Sequence, residues 1–406
     1  MRELAEIPGS LRGAGRLPAW RAKDVGILTL PPHPWRHDSW QTPHHVVSRL
    51  ARYFPVVWVD PVHERGAAGR RRREGPPAVW TAPDAPGVRV YTAEWWLPKL
   101  YRPQPLARWT ARERLRRAQA VLRAQGCRRT LVYLWRPEFA PALDLVPHAL
   151  SCYHLDDDYA FSDTPQPPDP AEVALIRRAD QVFIHSPALM EKKGGLNPRT
   201  ALAPNGVDYA AYARPAPEPA DLACIPRPRI GYTGKLKKQL DWALLLDLAT
   251  RHPAWSFVFV GPRSPHPEIA DLLARLGRMR NVHFLGGKPV VELSAYPQHF
   301  DVCIMPYRDT EYTKYIFPLK LHEYLAGGRP TLGTRIRSLE AFAHVVGLCG
   351  SPAEWEAALQ AALAPGADLP DRRAARRAAA RAYDWDDLVA RLAGTLAERL
   401  GISVPA

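Results

Sequence analysis

Three residues near one predicted helix start have the types and spacing needed to bind a phosphate group and a diol. Pro318 fits the first helical position, because no backbone N–H is needed there. Lys320 follows in the first turn, where free N–H groups and the helix dipole already favour an anion. Glu323 lies three residues later on the same side of the helix. Its carboxylate could accept hydrogen bonds from both hydroxyls of a ribose, although an exposed Lys–Glu helix pair would have the same spacing.

The elements around these residues place them at the edge of a sheet. Residues 301–306 form a mostly apolar run with the length of a buried strand, and a proline ends it. The helix that follows ends at Gly327 and Gly328. A strand, a loop and a helix in this order bring the helix start to the crevice where doubly wound folds bind their ligands.

The segment PLKLHEYLAGGRP at 318–330 resembles the C-terminal signature of GT-B glycosyltransferases of family 4. The resemblance implies that Pro318, Leu319, Lys320 and Glu323 bind a nucleotide diphosphate sugar, with Glu323 on the ribose. In that family a second glutamate precedes this one by seven intervening residues, and Tyr315 stands at the position here. This departure leaves open how the sugar ring is held. It fits a subgroup that resembles enzymes of bacterial cell-wall and capsular polysaccharide synthesis.

A glycine turn in the second half of the chain could bind a diphosphate. Residues 229–234, RIGYTG, are predicted to form a strand that ends at Gly234, where the backbone can approach a ligand closely. The pattern is weak by itself, because it is not a full GxGxxG. It resembles the family's Gly-Arg/Lys-Leu element, which implies that Gly234 and Lys235 bind the diphosphate. Lys237 and Lys238 are expected to face solvent.

Three consecutive acids, Asp156, Asp157 and Asp158, follow another predicted strand. Asp156 and Asp158 have the Asp-x-Asp spacing that holds a divalent metal in GT-A glycosyltransferases. The run YHLDDDYAF resembles instead the Tyr-Asp-x-x-Asp-Asp-Tyr run of the GT-B subgroup, which requires no metal. We favour this second interpretation, because the other half of the chain supplies a separate nucleotide site. It implies that Asp157 faces the acceptor and, with Lys235 and Lys320, takes part in catalysis. An N-cap acid is the structural alternative.

The loop after the first predicted strand, 24–30, supplies candidate acceptor contacts. Loops at the carboxyl ends of parallel strands line the crevice of such folds. Trp35, His37 and Asp38 are therefore predicted to bind the acceptor, with His33 beside them. The stretch from residue 35 to residue 61 resembles the corresponding stretch of the same glycosyltransferase subgroup. No compact ligand set accompanies these histidines, so we expect no metal site.

Two domains are expected, because 406 residues are long for a single core. Strands alternate with amphipathic segments in both halves, which is typical of doubly wound α/β folds. The PNGVD run resembles the family's interdomain hinge. We predict two Rossmann-like domains facing a cleft, the GT-B arrangement: an acceptor-binding domain at 1–205, a hinge and linker at 206–228, a nucleotide-sugar-binding domain at 229–382, and a helix at 383–406 that packs back toward the first domain.

Charge and composition limit the partners and the location. The formal net charge of +14 attracts phosphates, anionic membrane surfaces or nucleic acid, although solvated arginine is the alternative explanation. No nucleic-acid module accompanies the charge, so we expect no nucleic-acid partner.

Trp95, Trp96 and Tyr101 alternate with basic residues, which suits a membrane interface, a lipid-linked acceptor or packing over the sheet edge. Scattered cysteines and the lack of a signal core or membrane-span segment predict a cytoplasmic protein with at most peripheral contact with the membrane's cytoplasmic face.

The resemblance implies a hexosyltransferase-type reaction with retention of configuration. A sugar would pass from the nucleotide diphosphate sugar to a hydroxyl of a glycan, a lipid-linked molecule or a small molecule, without a cofactor or metal. The sequence offers no obvious nucleophile. Three alternatives remain: a nucleotide-sugar 2-epimerase of the same fold, a non-catalytic binding protein, and a metal-dependent GT-A-like enzyme.

Overall fold

The computed structural model describes residues 18–37, 40–62, 78–264 and 266–405. Two sheets form within these ranges, one of eight strands and one of six. The predicted acceptor residue Asp38 lies outside the described residues.

The larger sheet belongs to the first half of the chain, and its central strand is buried along its whole length. Its strands are β1 (Val25–Leu30), β2 (Val56–Val59), β3 (Val79–Thr81), β4 (Val88–Tyr91), β5 (Arg129–Leu134), β6 (Leu150–Leu155), β7 (Gln181–Ile184) and β8 (Thr200–Leu202). They lie in the order β3-β4-β2-β1-β5-β6-β7-β8, and all pairs are parallel except the β3–β4 edge. The strand order reverses between β1 and β5.

The smaller sheet is parallel throughout and has the Rossmann strand order. Its strands are β9 (Arg229–Thr233), β10 (Ser256–Val260), β11 (Val282–Gly286), β12 (Val302–Met305), β13 (Thr331–Thr334) and β14 (Gly347–Cys349). The order β11-β10-β9-β12-β13-β14 reverses between β9 and β12. Ligands of doubly wound folds bind at this kind of reversal, outside the carboxyl ends of the strands.

Helices connect the strands and cover the sheet faces. In the first half they are α1 (Thr42–Leu50), α2 (Gln104–Ala124), α3 (Ala142–Leu145), α4 (Pro170–Arg178) and α5 (Pro187–Lys193), with short 3₁₀ turns at Pro137–Phe139 and Gly194–Leu196. The remaining helices are α6 (Tyr209–Ala213), α7 (Ala220–Ala223), α8 (Trp242–Arg251), α9 (Pro267–Leu276), α10 (Val290–Leu293), α11 (Ala295–Gln298), α12 (Glu311–Tyr315), α13 (Leu319–Ala326), α14 (Arg337–Glu340), α15 (Pro352–Leu363), α16 (Pro370–Arg381) and α17 (Trp385–Arg399). Among the described residues, no helix combines the length and apolar character that crossing a membrane requires.

The last helix packs on the first half of the chain. Trp385, Leu388 and Leu392 of α17 are buried in the same apolar cluster as β1 and α1. Asp386 also accepts hydrogen bonds from Arg49 at 2.7 Å and Arg52 at 2.8 Å. The chain therefore returns from the second sheet to complete the core of the first.

The predicted linker is packed rather than extended. Its short helices α6 and α7 lie between the sheets along the chain, and Leu222 and Ile225 are buried in the core of the second sheet. Proline and alanine were the signal for a linker in this stretch, but a few apolar residues were enough to attach it to the neighbouring domain.

A buried ion cluster stabilises the first domain behind the acidic run. Lys193 is 2% exposed, and its ammonium lies 2.8 Å from a carboxylate oxygen of Asp158 and 2.8 Å from one of Glu172. Lys192 also binds Asp158, at 3.0 Å. The buried carboxylates of Asp158 and Glu172 thus share the Lys193 ammonium as an ion-pair partner.

We expect Lys193→Ala to lower the free energy of unfolding by about 3–5 kcal/mol, because it leaves two buried carboxylates without their central partner. Lys192→Ala is the matched control. It removes a more exposed partner of the same Asp158, so we expect a loss of about 1 kcal/mol. Urea unfolding followed by circular dichroism measures both, and equal losses would contradict this account of the cluster.

Candidate active site

A cleft of about 650 Å³ lies where the carboxyl ends of the two sheets face each other. Residues from both sheets' strand loops line it. The two points of strand-order reversal therefore open into one cavity, which is the position expected for a ligand in this fold.

The first domain contributes residues that directly follow central strands. His33 comes from the loop after β1, Arg136 from the end of β5, and Asp156 and Asp157 from the end of β6. Because these strands are neighbours in the sheet, side chains far apart in sequence reach the same wall of the cleft. The guanidinium of Arg136 lies over the ring of Tyr159, 4.4 Å from its centroid.

The second domain contributes all the predicted donor residues. Gly234 and Lys235 follow β9, and Pro318, Leu319, Lys320 and Glu323 lie at the start of α13; all six line the cleft. The eight-residue helix α13 begins at Leu319, one residue later than predicted, and Pro318 is its N-cap residue. The first N–H groups of a helix have no partner within it, so they are available to a ligand in the cleft.

Lys320 is held beneath the glycine turn. Gly234 has a φ of +121°, and a Cβ added there would lie 3.2 Å from the Cε atom of Lys320. The ammonium donates to the hydroxyl of Tyr307 at 3.0 Å and lies 5.0 Å from the ring centroid of Tyr232. These partners are neutral phenols, so the charge of the ammonium remains available to an anion.

Glu323 sits one helical turn further and also borders the cleft. Burial raises the pKa of its carboxyl group, while Lys320 and a hydrogen bond from Tyr212 lower it. The side chain thus has a donor on one side and open space on the other. Hydroxyl groups of a ligand would satisfy its remaining acceptor capacity.

Asp157 faces the second domain across the cleft. Its Oδ2 atom accepts a hydrogen bond of 2.9 Å from the hydroxyl of Tyr312, which belongs to α12. Burial raises the pKa of Asp157 to about 6, although Tyr312 and Lys237 both lower it. Burial likewise raises the pKa of Asp156 to about 7, against a 2.5 Å hydrogen bond from Tyr159.

The Asp-x-Asp metal interpretation is wrong. Asp158 turns away from the cleft and pairs with Lys192 and Lys193, so it does not face the same space as Asp156. The fold is also that of two facing Rossmann-like domains, not a GT-A fold.

The predicted acceptor residues divide into two groups. Trp35 does not line the cleft: its ring is 2% exposed and packs edge-on against Trp58 at 5.0 Å, so its prediction as an acceptor contact is corrected to a core role. His37 is exposed and lies outside the cleft lining, although its ring is 5.0 Å from that of His33. His33 does line the cleft, and burial lowers its pKa to about 4, with further lowering by His37, Arg136 and Lys235.

Tyr315, at the position of the family's first glutamate, also points away from the cleft. Its hydroxyl donates to Glu311 at 2.6 Å, and the ammonium of Lys192 lies 4.2 Å from its ring centroid. The ring packs with the core of the first domain. This position therefore joins the two domains and brings no carboxylate to the cleft.

Sequence reasoning missed three cations that line the cleft: Arg136, Lys237 and Lys288. Arg136 was not singled out, and Lys237 was expected to face solvent but lines the cleft. Burial lowers the pKa of Lys237, as do Lys320 and Lys235, while Asp157 raises it. The signal for Arg136 was its position directly after a central strand, which becomes informative only when the strand order is known.

Known proteins resemble this chain in the sequence of residues 227–364 and in the fold. Residues 227–364 match the family model described as "Glycosyl transferases group 1". A Bacillus subtilis (strain 168) protein named as a teichuronic acid biosynthesis glycosyltransferase, TuaH, is 29% identical over 231 residues, which are 54% of this chain and 57% of the relative. The chain thus matches somewhat more than half the length of that relative.

The solved structures that resemble the chain extend the likeness to both domains. The α,α-trehalose 6-phosphate synthase of Burkholderia multivorans has a TM-score of 0.64 at 15% identity and covers 93% of this chain and 98% of its own. The α,α-trehalose-phosphate synthase of Burkholderia xenovorans, in complex with glucose-6-phosphate, has a TM-score of 0.62 at 14% identity, with 92% and 99% covered. At these identities the likeness concerns the fold, which is GT-B as predicted. The predicted resemblance to GT-B glycosyltransferases is confirmed, and within that fold residues 227–364 carry the group 1 match.

We expect Gly261→Ala to destabilise the protein by about 1–3 kcal/mol through overpacking. A Cβ at Gly261 would lie 2.0 Å from the carbonyl oxygen of Gly234, and the residue has a φ of +153°. Gly287→Ala is the matched control in the same cleft, because its nearest neighbour would be 3.7 Å away. Thermal unfolding should show a much larger loss for the first variant, and similar losses would refute the close approach of the two loops.

Asp157 should make the protein less stable as the pH rises. Its pKa is raised from 3.8 to about 6 by folding, so its contribution favours the folded state at low pH and is lost as the pH rises through about 6. We therefore expect Asp157→Asn to gain stability relative to the native chain between about pH 4 and pH 7. Urea unfolding over this range measures the difference, and a difference independent of pH would disprove the assignment.

Proposed function

We propose that the protein is a glycosyltransferase that moves a sugar from a nucleotide diphosphate sugar to an acceptor hydroxyl. One arrangement carries the proposal: Lys320 lies under the Gly234 turn, and Glu323 is one turn away, in a domain that matches group 1 glycosyl transferases. The match supports the reaction class, and the geometry offers lysines for a diphosphate and a carboxylate for a ribose.

In this proposal the donor lies along the second domain. The diphosphate occupies the space between the Gly234 turn and the start of α13, where Lys235, Lys320 and the free N–H groups meet it. Glu323 accepts hydrogen bonds from the ribose hydroxyls. These positions follow from residues on two adjacent loops at the point where the strand order reverses.

The same groups would assist the chemical step. As the bond between the sugar and the diphosphate breaks, negative charge grows on the leaving group, and preorganised cations stabilise it most at that moment. In this proposal Asp157, on the opposite wall, accepts a hydrogen bond from the acceptor hydroxyl. Retention of configuration, and the absence of a metal or cofactor from the reaction, remain part of the proposal.

We further propose that the acceptor is a glycan or a lipid-linked molecule of bacterial cell-surface polysaccharide synthesis, met at the cytoplasmic face of the membrane. The name of the Bacillus subtilis relative, which refers to teichuronic acid biosynthesis, supports this acceptor class. The net charge of +14 agrees with an anionic surface or acceptor.

A thermal-shift panel of UDP, GDP, dTDP, ADP and CDP, with and without magnesium, tests donor binding. We expect one nucleotide to raise the Tm without magnesium, because a ligand that binds only the folded state stabilises it. Glu323→Gln should weaken the affinity for this nucleotide roughly 10- to 100-fold, through loss of hydrogen bonds to a charged acceptor. Glu268→Gln on the exposed surface of α9 is the control and should bind normally. A Glu323→Gln variant with native affinity would refute the ribose assignment.

Acceptor-dependent release of the nucleoside diphosphate separates the alternatives. A transferase releases it faster when acceptor is added, whereas a 2-epimerase consumes its nucleotide sugar without acceptor. A binding protein that holds the nucleotide sugar unchanged in both conditions would overturn the catalytic proposal.

A further inference from the structure

An unusual concentration of exposed apolar side chains lies on the first domain. Ten large apolar residues are exposed among those that the structure describes, and half of them fall between residues 95 and 109. These five, each between 43% and 58% exposed, are Trp95, Trp96, Tyr101, Leu106 and Trp109. Single exposed apolar residues are ordinary, but a cluster of this kind marks an interaction surface. We call residues 95–112 the aromatic patch.

The two parts of the aromatic patch are held together. Its first part is a loop and its second part is the beginning of α2. Arg114, a buried residue of α2, donates hydrogen bonds to the carbonyl oxygens of Leu97 at 3.1 Å and Pro98 at 2.7 Å. The guanidinium of Arg117 lies 4.7 Å from the ring centroid of Trp96. The loop is therefore fixed against the helix, and its tryptophans are presented from an ordered surface.

The beginning of α2 projects from the body of the domain. Thr110 is the first buried residue of this helix, so the turns before it contribute nothing to the core. Leu106 and Trp109 lie three residues apart and share one face of these turns. Apolar side chains that project in this way can insert into the headgroup region of a lipid membrane.

The charge of the aromatic patch is entirely positive. Lys99, Arg102, Arg108 and Arg112 lie among the aromatic residues, and the stretch from 95 to 112 contains no Asp or Glu. The ion pairs of α2 are made by Arg116 and Arg117 with acids outside the patch. The four cations are thus available to an anionic partner.

The position of the aromatic patch relates it to the cleft. It follows β4, whose carboxyl end lies at the same edge of the parallel sheet as those of β1, β5 and β6. The loops after these three strands line the cleft. A surface bound to the aromatic patch would therefore lie beside the cleft, not behind the sheet.

We propose that the aromatic patch docks the protein on a membrane that contains anionic phospholipid. The tryptophan and tyrosine rings enter the headgroup layer, Leu106 reaches the acyl boundary, and the arginines bind lipid phosphates. Protein interfaces are also enriched in tryptophan, tyrosine and arginine, but the lack of any acid between residues 95 and 112 favours a uniformly anionic surface over a protein partner of mixed charge. The purpose of this docking rests on the proposed function, since it would bring a lipid-linked acceptor to the edge of the cleft.

Flotation with lipid vesicles tests the proposal on the full chain. We expect binding to vesicles of phosphatidylcholine mixed with phosphatidylglycerol, and much weaker binding to phosphatidylcholine alone. Leu106→Ser combined with Trp109→Ser should reduce the partition coefficient roughly 10- to 100-fold, because the large apolar side chains no longer insert. Each basic residue contributes about fivefold near an anionic membrane, so Arg108→Glu with Arg112→Glu should cost at least roughly 25-fold.

Matched controls lie on the second domain. Leu369→Ser changes a side chain that is 50% exposed, and Arg275→Glu with Arg278→Glu reverses the same number of charges on and beside α9. Both controls should float like the native chain. Native-like flotation of the aromatic-patch variants, or no flotation of the native chain, would overturn the proposal. A native dimer that the Leu106/Trp109 variant converts to a monomer would also overturn it, because a second copy would then be the occupant.

Measuring nucleotide binding distinguishes a failure of the docking proposal from a failure of the proposed function. The aromatic-patch residues lie outside the cleft, so their variants should retain the nucleoside diphosphate thermal shift and activity on a water-soluble acceptor. Loss of flotation with a native thermal shift supports the docking surface. A protein that floats but binds no nucleotide would refute the glycosyltransferase and leave the docking surface standing.

Discussion

The cleft depends on the buried ammonium group of Lys320, which forms no ion pair with a carboxylate among the described residues, although its charge lowers the pKa of Glu323. Transferring a cation out of water is costly, and proteins commonly offset the cost with a paired acid. Lys320 has instead the hydroxyl of Tyr307 and the ring face of Tyr232. Phenols solvate the charge without cancelling it. An anion that enters the cleft therefore supplies the ion pair that Lys320 does not form within the described part of the protein.

Two glycines make this placement of Lys320 sterically possible. The absence of a side chain at Gly261 lets the Gly234 carbonyl pass, and the absence of one at Gly234 lets the Lys320 side chain lie beneath the turn. The loops after β9 and β10 and the start of α13 consequently form one close-packed unit. A side chain added at either glycine would displace its neighbour, so the position of the Lys320 ammonium is set by backbone packing as well as by charge.

The sequence predicted the second domain's contribution well because its signals are local. Lys320 and Glu323 lie on one short helix, and their i,i+3 spacing alone puts them on one side of it, while Pro318 marks where the helix begins. The first domain was harder. A tryptophan in a loop can face a ligand or fill the core, and the position of Trp35 is decided by Trp58, which lies on another strand. Arg136 becomes a cleft residue only because β5 lies beside β1, and a strand's neighbours cannot be deduced from its own residues.

The domains also hold each other through contacts that surround the cleft. Asn205 donates to the carbonyl oxygen of Phe317 at 2.7 Å, and Ser186 donates to that of Tyr315 at 2.8 Å. These acceptors are backbone groups of the segment just before α13, so the first domain positions the helix start through its main chain. Tyr315 itself packs on the first domain's core.

Positive charge exceeds negative charge in the cleft. Lys235, Lys237, Lys320 and Arg136 all border it, whereas the acids there have pKa values raised by burial. Burial thus disfavours ionisation of these acids, and burial also lowers the pKa of Lys237, with further lowering by Lys320 and Lys235. A ligand that carries several negative charges relieves this repulsion among the cations, so its binding would stabilise the folded protein.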